Sequence, residues 1–195
     1  MWGRSVNDVG KRIFDLVVSA VGLAVLWPVI AIAMIAVRRS SPGPAIFSHT
    51  RIGRDGRPFK LYKLRTMQHG TNLVPTHVVD SNALTPVGRF LRRTKLDELP
   101  QLVNVLKGEM SLVGPRPCLA TQTELLEARK RVGALGVRPG ITGLAQVRGI
   151  DMSDPVKLAV VDGIYARGRT FAGDLWLVLQ TVSGRGIGID SVNQR

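Results

Sequence analysis

The chain has 195 residues, 45% of them apolar, and carries 27 Lys and Arg against 14 Asp and Glu, a formal net charge of +13. That length suits one domain, or one domain with a short attachment, and needs no disulfide staples. The apolar share excludes wholesale disorder, the single cysteine (Cys118) excludes an intrachain disulfide and a cysteine-based metal site, and the basic excess points to anionic partners: nucleic acid, lipid headgroups or phosphorylated metabolites.

The first element is LVVSAVGLAVLWPVIAIAMIAV, residues 16–37, none of them charged. As a straight helix it reaches about 33 Å, enough for a hydrocarbon core of about 30 Å. It is longer than a usual signal h-region, although Ala31 and Ala33 form a small-x-small pattern. Pro28 sits inside it and favours a kink. Arg4, Lys11 and Arg12 precede the run and Arg38 and Arg39 follow it, so the basic flanks set no orientation for a span. Two topologies stay open: a single crossing, or a re-entrant helix that breaks at Pro28 and returns to the same face. The second needs a partner for the carbonyls freed at the break, such as Ser19 or another buried polar group.

Residues 38–65 hold Arg38, Arg39, Arg51, Arg54, Arg57, Lys60, Lys63 and Arg65 against one acid, Asp55. SSPGP is a turn. AIFSH and PFKLYKLR alternate as strands do, and Arg54-Asp55-Gly56 suits the hairpin turn between them. The second strand reads either as a solvated basic strand or as a surface for anionic headgroups. Residues 68–87 are polar and turn-rich and predict a loop. GRFLRRTKL, 88–96, mixes basic residues with Phe90, Leu91 and Leu96 as an interfacial helix does. In LPQLVNVLKG, residues Leu99, Leu102, Val103 and Leu106 share one helical face, with Pro100 in the first turn and Gly108 as the stop.

Asp97 and Glu98 precede that helix, directly after Arg92, Arg93 and Lys95. A helix N-terminus and two arginines are expected to keep both carboxylates ionised. That argues against Asp97 as a general acid and leaves three roles: metal ligand, nucleophile or helix cap. GPRP, 114–117, brackets Arg116 with two prolines, which suits either a phosphate-binding fork or a tight turn. ELLEARKR, 124–131, reads as a charged surface helix. RPGITGLAQVRG reads as a loop or short β-element, and DPVKLAVVDGIYARG and GDLWLVLQTVSG as helices with an apolar face. GRGIG, in the tail, lacks the setting of a dinucleotide fingerprint. His49, His69 and His77 have no metal-ligand spacing and read as structural or surface residues.

Taken in order, KRIFDLVVS, SPGPAIFSHTRIGRDGRPFKLYKLRTM, LRRTKLDELPQLVNVLKGEMSLVGPRP and RPGITGLAQV resemble the bacterial sugar transferase family. Within it the chain is most similar to the small, single-domain monotopic phosphoglycosyl transferases. The resemblance covers most of the chain. It implies an α/β architecture, mainly α with a small β-hairpin: a re-entrant membrane helix over 1–40 broken at Pro28, a catalytic domain over 41–183 lying on the membrane surface, and a tail over 184–195. It implies transfer of a phospho-sugar from a UDP-sugar to a polyprenyl phosphate such as undecaprenyl phosphate, on the cytoplasmic face of the bacterial inner membrane, at the start of surface-glycan assembly. Asp97 matches the family's nucleophile, which forms a covalent phospho-sugar intermediate. Mg²⁺ is implied at Asp97 and Glu98, and Arg92 and Arg116 match phosphate-binding arginines. After GLAQV many relatives carry Asn-Gly-Arg; here the residues are Arg148-Gly149-Ile150, and Arg148 is the phosphate-binding candidate in place of an arginine at 150. The partners so implied are UDP-sugar, polyprenyl phosphate and membrane lipids, with homodimer formation allowed.

Two rivals remain. One is a degenerate member that keeps only a membrane role, against which the intact LDELP stands. The other is a membrane-anchored basic module for anionic lipid or nucleic acid. Aromatic residues make up 5% of the chain, a thin supply of base-stacking platforms, and no nucleic-acid partner is expected.

Overall fold

The computed structural model describes residues 6–68 and 83–184. The expectations for His69, His77, most of the stretch 68–87 and the tail after Gly184 lie outside the described residues. The chain begins with α1 (Val6–Ser40), followed by a hairpin of β1 (Ile46–Ile52) and β2 (Pro58–Leu64). Next come α2 (Pro86–Arg93), α3 (Gln101–Lys107), β3 (Ser111–Val113) and α4 (Thr123–Arg131). β4 (Gly140–Thr142), α5 (Leu144–Val147), α6 (Pro155–Gly168) and α7 (Phe171–Val182) complete the described chain. It is mainly helical with two small sheets, as the α/β expectation has it.

The hairpin forms where alternation predicts it. β1 and β2 run antiparallel in the register Ile46↔Leu64 to Ile52↔Pro58. Asp55 and Gly56 take left-handed conformations at the turn, a geometry glycine and aspartate tolerate best. β2 does not alternate cleanly. Leu61 and Leu64 are buried, but so is Arg65, and Lys63 is half-buried. This departs from a solvated basic strand, because α3 packs beside β2 and Asn104 reaches into it, accepting a hydrogen bond from the Tyr62 amide at 3.1 Å. The second sheet is a parallel pairing of β3 with β4, Ser111↔Gly140 and Val113↔Thr142. It explains the glycines of the two punctuated stretches. A Cβ on Gly140 would lie 2.1 Å from the Gly114 nitrogen, so backbone passes against backbone there.

α2 starts at a cap: Thr85 accepts from the Gly88 amide at 2.9 Å, with Pro86 in the first turn. A Cβ on Gly88 would lie 1.9 Å from the Thr66 carbonyl oxygen, so only glycine lets α2 lie so close to the end of β2. α4 and α6 enclose a cluster of Cys118, Leu125, Met152, Leu158 and Val161. The expectation of a plain surface helix over 124–131 needs correction: Arg129 is buried and its Nε donates to buried Asp162 at 2.8 Å.

α1 is long and apolar enough to cross a membrane, and only 11% of its most apolar 18-residue window is buried against the rest of the chain. It is therefore no ordinary core helix. It runs on through Pro28 from Val6 to Ser40; the helix–break–helix expected from the proline is not seen in this continuous element. Ser19 is fully buried, and its hydroxyl is unbonded among the described residues, so it does not partner a carbonyl near Pro28. Both ends of the apolar run are tied to the same folded body. At the start, Arg12 donates to the Val105 and Leu106 carbonyls at 2.7 and 3.1 Å, and Asp15 accepts from the Leu112 amide at 3.1 Å. At the finish, Ala33 and Val37 pack with Ala45, Leu64 and Leu91.

Candidate active site

A left-handed Lys95 joins α2 to a single 3-10 turn, Leu96–Glu98, and Pro100 then leads into α3. The helix arrives as predicted, within one or two residues, and ends at left-handed Gly108. The turn buries both carboxylates: Asp97 is 5% exposed and Glu98 8%. Neither caps α3. Its N-cap residue is Pro100, with no side-chain cap hydrogen bond, so the capping alternative falls.

Besides Lys95 of the turn itself, Lys63, Arg116 and Arg92 converge on the pair from three parts of the described chain. Lys63, on β2, donates to Glu98 Oε1 at 2.8 Å and lies 3.9 Å from Asp97 Oδ2. Arg116, in the turn after β3, donates to the same Glu98 oxygen at 3.1 Å. Arg92, on α2, donates to Thr66 Oγ1 at 3.1 Å and acts on Asp97 through its charge. The GPRP stretch is thus both a turn and the means of aiming Arg116 at the carboxylates. Arg51 of β1 braces it from behind. Its Nη1 donates to the Pro117 carbonyl at 3.4 Å, and its Nε donates to His49. Burial, then the Arg116 charge, lowers the Arg51 pKa to about 10. Burial, then Arg51 and Lys63, lowers that of His49 to about 3, which keeps this imidazole neutral and structural, as expected.

The two carboxylates behave differently. Burial pushes Glu98 up, but Lys63, Arg116 and Lys95 outweigh it and hold it well below the usual carboxylate range. Asp97 moves the other way. Burial raises its pKa and the Glu98 charge adds to the rise, while Lys63, Arg92 and Arg116 offset only part of it. The expectation that the neighbouring cations keep both carboxylates ionised is corrected for Asp97: its 3-10 turn is buried, and desolvation, with the Glu98 charge, outweighs the cations and raises its pKa. Arg93, invoked in that expectation, is exposed. Glu98 holds Lys63 and Arg116 in place, and Asp97 has the higher proton affinity of the two.

Arg148 is not brought to this pair. It is exposed at the C-terminal end of α5, and none of the hydrogen bonds or ion pairs among the described residues joins it to Asp97 or Glu98. Ile150, at the position where an arginine was expected, packs against the cluster around Cys118 and Leu158. Lys63 and Arg51 were missed as site residues. Their signal was present as charges on a strand pair, but charge alone does not say which face a strand turns inward.

The body that holds this buried carboxylate pair and its cations is joined to a long, exposed apolar helix, which points to association with a membrane. The model of the bacterial sugar transferase family matches residues 6–185. The UDP-glucose:undecaprenyl-phosphate glucose-1-phosphate transferase of Caulobacter vibrioides is 41% identical over 189 residues, 92% of this chain and 70% of that protein. The Escherichia coli protein of the same name is 44% identical over 150 residues, 74% of this chain but 32% of that protein. The exopolysaccharide production protein ExoY of Sinorhizobium fredii is 34% identical over 197 residues, 92% of this chain and 86% of that protein. The chain belongs to the bacterial sugar transferase family, and it is a transferase.

Proposed function

We propose that this chain transfers a phospho-sugar from a UDP-sugar to a polyprenyl phosphate, undecaprenyl phosphate being the acceptor named for its relatives, as the first membrane step of surface-glycan synthesis. The observation that carries the reading is the asymmetry of the buried pair: Glu98 held anionic by Lys63 and Arg116, Asp97 beside it with raised proton affinity. A deprotonated Asp97 oxygen attacks the phosphorus that bears the sugar. A P–O bond forms to Asp97, the bridging P–O bond breaks, and UMP leaves with the bridging oxygen. An oxygen of the polyprenyl phosphate then attacks the same phosphorus, and Asp97 departs as carboxylate. The products are UMP and polyprenyl diphosphate sugar. Arg92 and Arg116 hold the diphosphate against the carboxylates, and Lys63 offsets the repulsion between anionic nucleophile and anionic substrate.

Mg²⁺ suits this site only as an ion shared with substrate. Among the described residues no group of three or more His, Cys, Asp or Glu gathers for a metal. Asp97 and Glu98 offer hard oxygen donors, and burial raises the Asp97 pKa, so a cation brought in with substrate would favour its ionised form. One or two carboxylates plus phosphate oxygens are the usual Mg²⁺ donor set. When bound, the ion supplies charge stabilisation to the diphosphate.

The reading includes a monotopic chain whose body stays on the cytoplasmic face. Support comes from α1, both ends of whose apolar run are held by the one folded body. A crossing would carry those ends to opposite surfaces. In the bilayer, bending at Pro28, which has no N–H for the preceding turn, returns the chain to the side it entered.

Intact mass spectrometry on the full chain with Mg²⁺ and a panel of UDP-sugars, without lipid acceptor, tests the reaction. A gain equal to one phospho-sugar, absent from Asp97→Asn, is expected. Turnover by a well-folded Asp97→Asn protein would overturn the covalent route.

A further inference from the structure

A second concentration of charge lies at the opposite end of α3 from the carboxylates. A cavity of about 250 Å³ opens beside the first turns of α1, lined by Arg12 of α1, Arg54 of the hairpin turn and Arg138 just before β4. Lys11 and Arg169 also face it, against two carboxylates, Asp8 and Asp15. Both acids are engaged: Asp8 with Arg169, and Asp15 with the Leu112 amide. Lys11 is matched by Asp174. That leaves three guanidiniums. Among the described residues Arg54 has only the exposed Asp55, at 3.6 Å. Arg12 and Arg138 have no ion pair among the described residues. They donate to the carbonyls of Val105, Leu106 and Gly108, closing the end of α3.

Those three bonds are the structural use of Arg12 and Arg138, and they leave most of the N–H groups of two five-donor guanidiniums unspent. Burial, then the charges of Arg12 and Arg54, lowers the Arg138 pKa, and Asp15 and Asp8 offset only part of it, so three guanidiniums face one cavity with their charge incompletely balanced. Converging planar forks of this kind match phosphate oxygens. The mouth adds a second feature. Val9 and Ile13 line the same cavity and are 54% and 57% exposed, and Val17 and Val21 continue that apolar strip along α1. Charge lies inside and apolar surface outside. α3, from Gln101 to Lys107, advances about 10 Å between the two places, and none of Asp97, Glu98, Lys63, Arg92 and Arg116 lines the cavity.

We propose that this cavity is a second phosphate-binding site, separate from the transfer centre, in which Arg12, Arg54 and Arg138 hold the phosphate of a phospholipid headgroup or a free phosphate ion. It does not depend on the sugar-transfer reading. The full chain, purified in detergent, is titrated with inorganic phosphate and separately with dioctanoyl phosphatidic acid, following its thermal unfolding midpoint. A saturable rise is expected with at least one probe. A response to the lipid alone makes a headgroup the occupant; equal responses make it phosphate itself. Arg54→Gln and Arg138→Gln each weaken the apparent affinity about tenfold, and Lys63→Gln leaves it in place. If Arg138→Gln fails to fold because α3 loses its closing bond, Arg54→Gln, on the exposed turn, still reports. No saturable response to either probe, an unchanged affinity in Arg54→Gln, or a loss in Lys63→Gln overturns the assignment.

Discussion

Among the described residues, two of the buried ionic centres are built on opposite plans. Between α4 and α6, Arg129 meets Asp162 one to one, each 2% exposed. Before α3, two carboxylates meet Lys63, Arg92 and Arg116. The first centre is closed: each charge has its partner, and both side chains are shut away from solvent. The second holds more positive charge than its carboxylates consume, on three side chains from three separate elements. A closed pair can be exchanged for apolar residues with little penalty, whereas a surplus of cations around a raised carboxylate has a use only when an anion arrives.

The strongest way to break this contrast is at Asp97. Asp97→Asn is expected to lower turnover by at least about 10⁴-fold while the unfolding midpoint holds; turnover near wild type would strip the second centre of its chemistry. Arg129→Met does the reverse. Leaving Asp162 buried without its cation costs about 3–5 kcal/mol, seen as a lower denaturant midpoint, with activity per folded molecule retained. Lys63→Gln is expected to cost about 10²-fold in kcat. It also moves the acidic limb of the pH–rate profile upward, because Lys63 lowers the Asp97 pKa. A limb that moves downward would mean that Asp97 is not the titrating group.

Smaller effects sharpen the comparison. The folded-state pKa of His49 is lowered from 6.5 to about 3. Between those values the unfolded chain takes up a proton that the folded chain refuses, so stability falls as the pH drops through that window. His49→Gln is expected to flatten the slope of the unfolding midpoint there. Arg148→Gln is expected to cost less than about tenfold in turnover, given its exposed place at the end of α5. A loss as deep as that of Arg116→Gln would mean that bound substrate draws Arg148 in.

Much of the architecture was legible from local pattern. Alternation and a left-handed turn gave the hairpin; Pro100, the apolar face and Gly108 gave α3. Asp97, Glu98, Arg92 and Arg116 were legible as a group through the family resemblance. Lys63 was not, because it is one of several cations on a strand whose inward face is chosen only by the packing of α3. The raised Asp97 pKa was missed for a related reason. A sequence displays the neighbouring arginines but not the burial that outweighs them. The parallel pairing of β3 with β4 joins segments far apart in the chain, and three-residue strands carry too little periodicity to announce it.

By itself, the sequence determined what short-range rules control: the apolar run of α1, the hairpin, the helix caps and stops, and the motif strings that define the family. Tertiary structure alone decided which charges meet. It brought Lys63, Arg92 and Arg116 onto one carboxylate pair, closed Arg129 on Asp162, and gathered Arg12, Arg54 and Arg138 around a cavity. The reason is one of range. Helix and turn preferences act over a few residues, while a buried ion's energy depends on the solvent it loses and on partners that only the fold can place beside it.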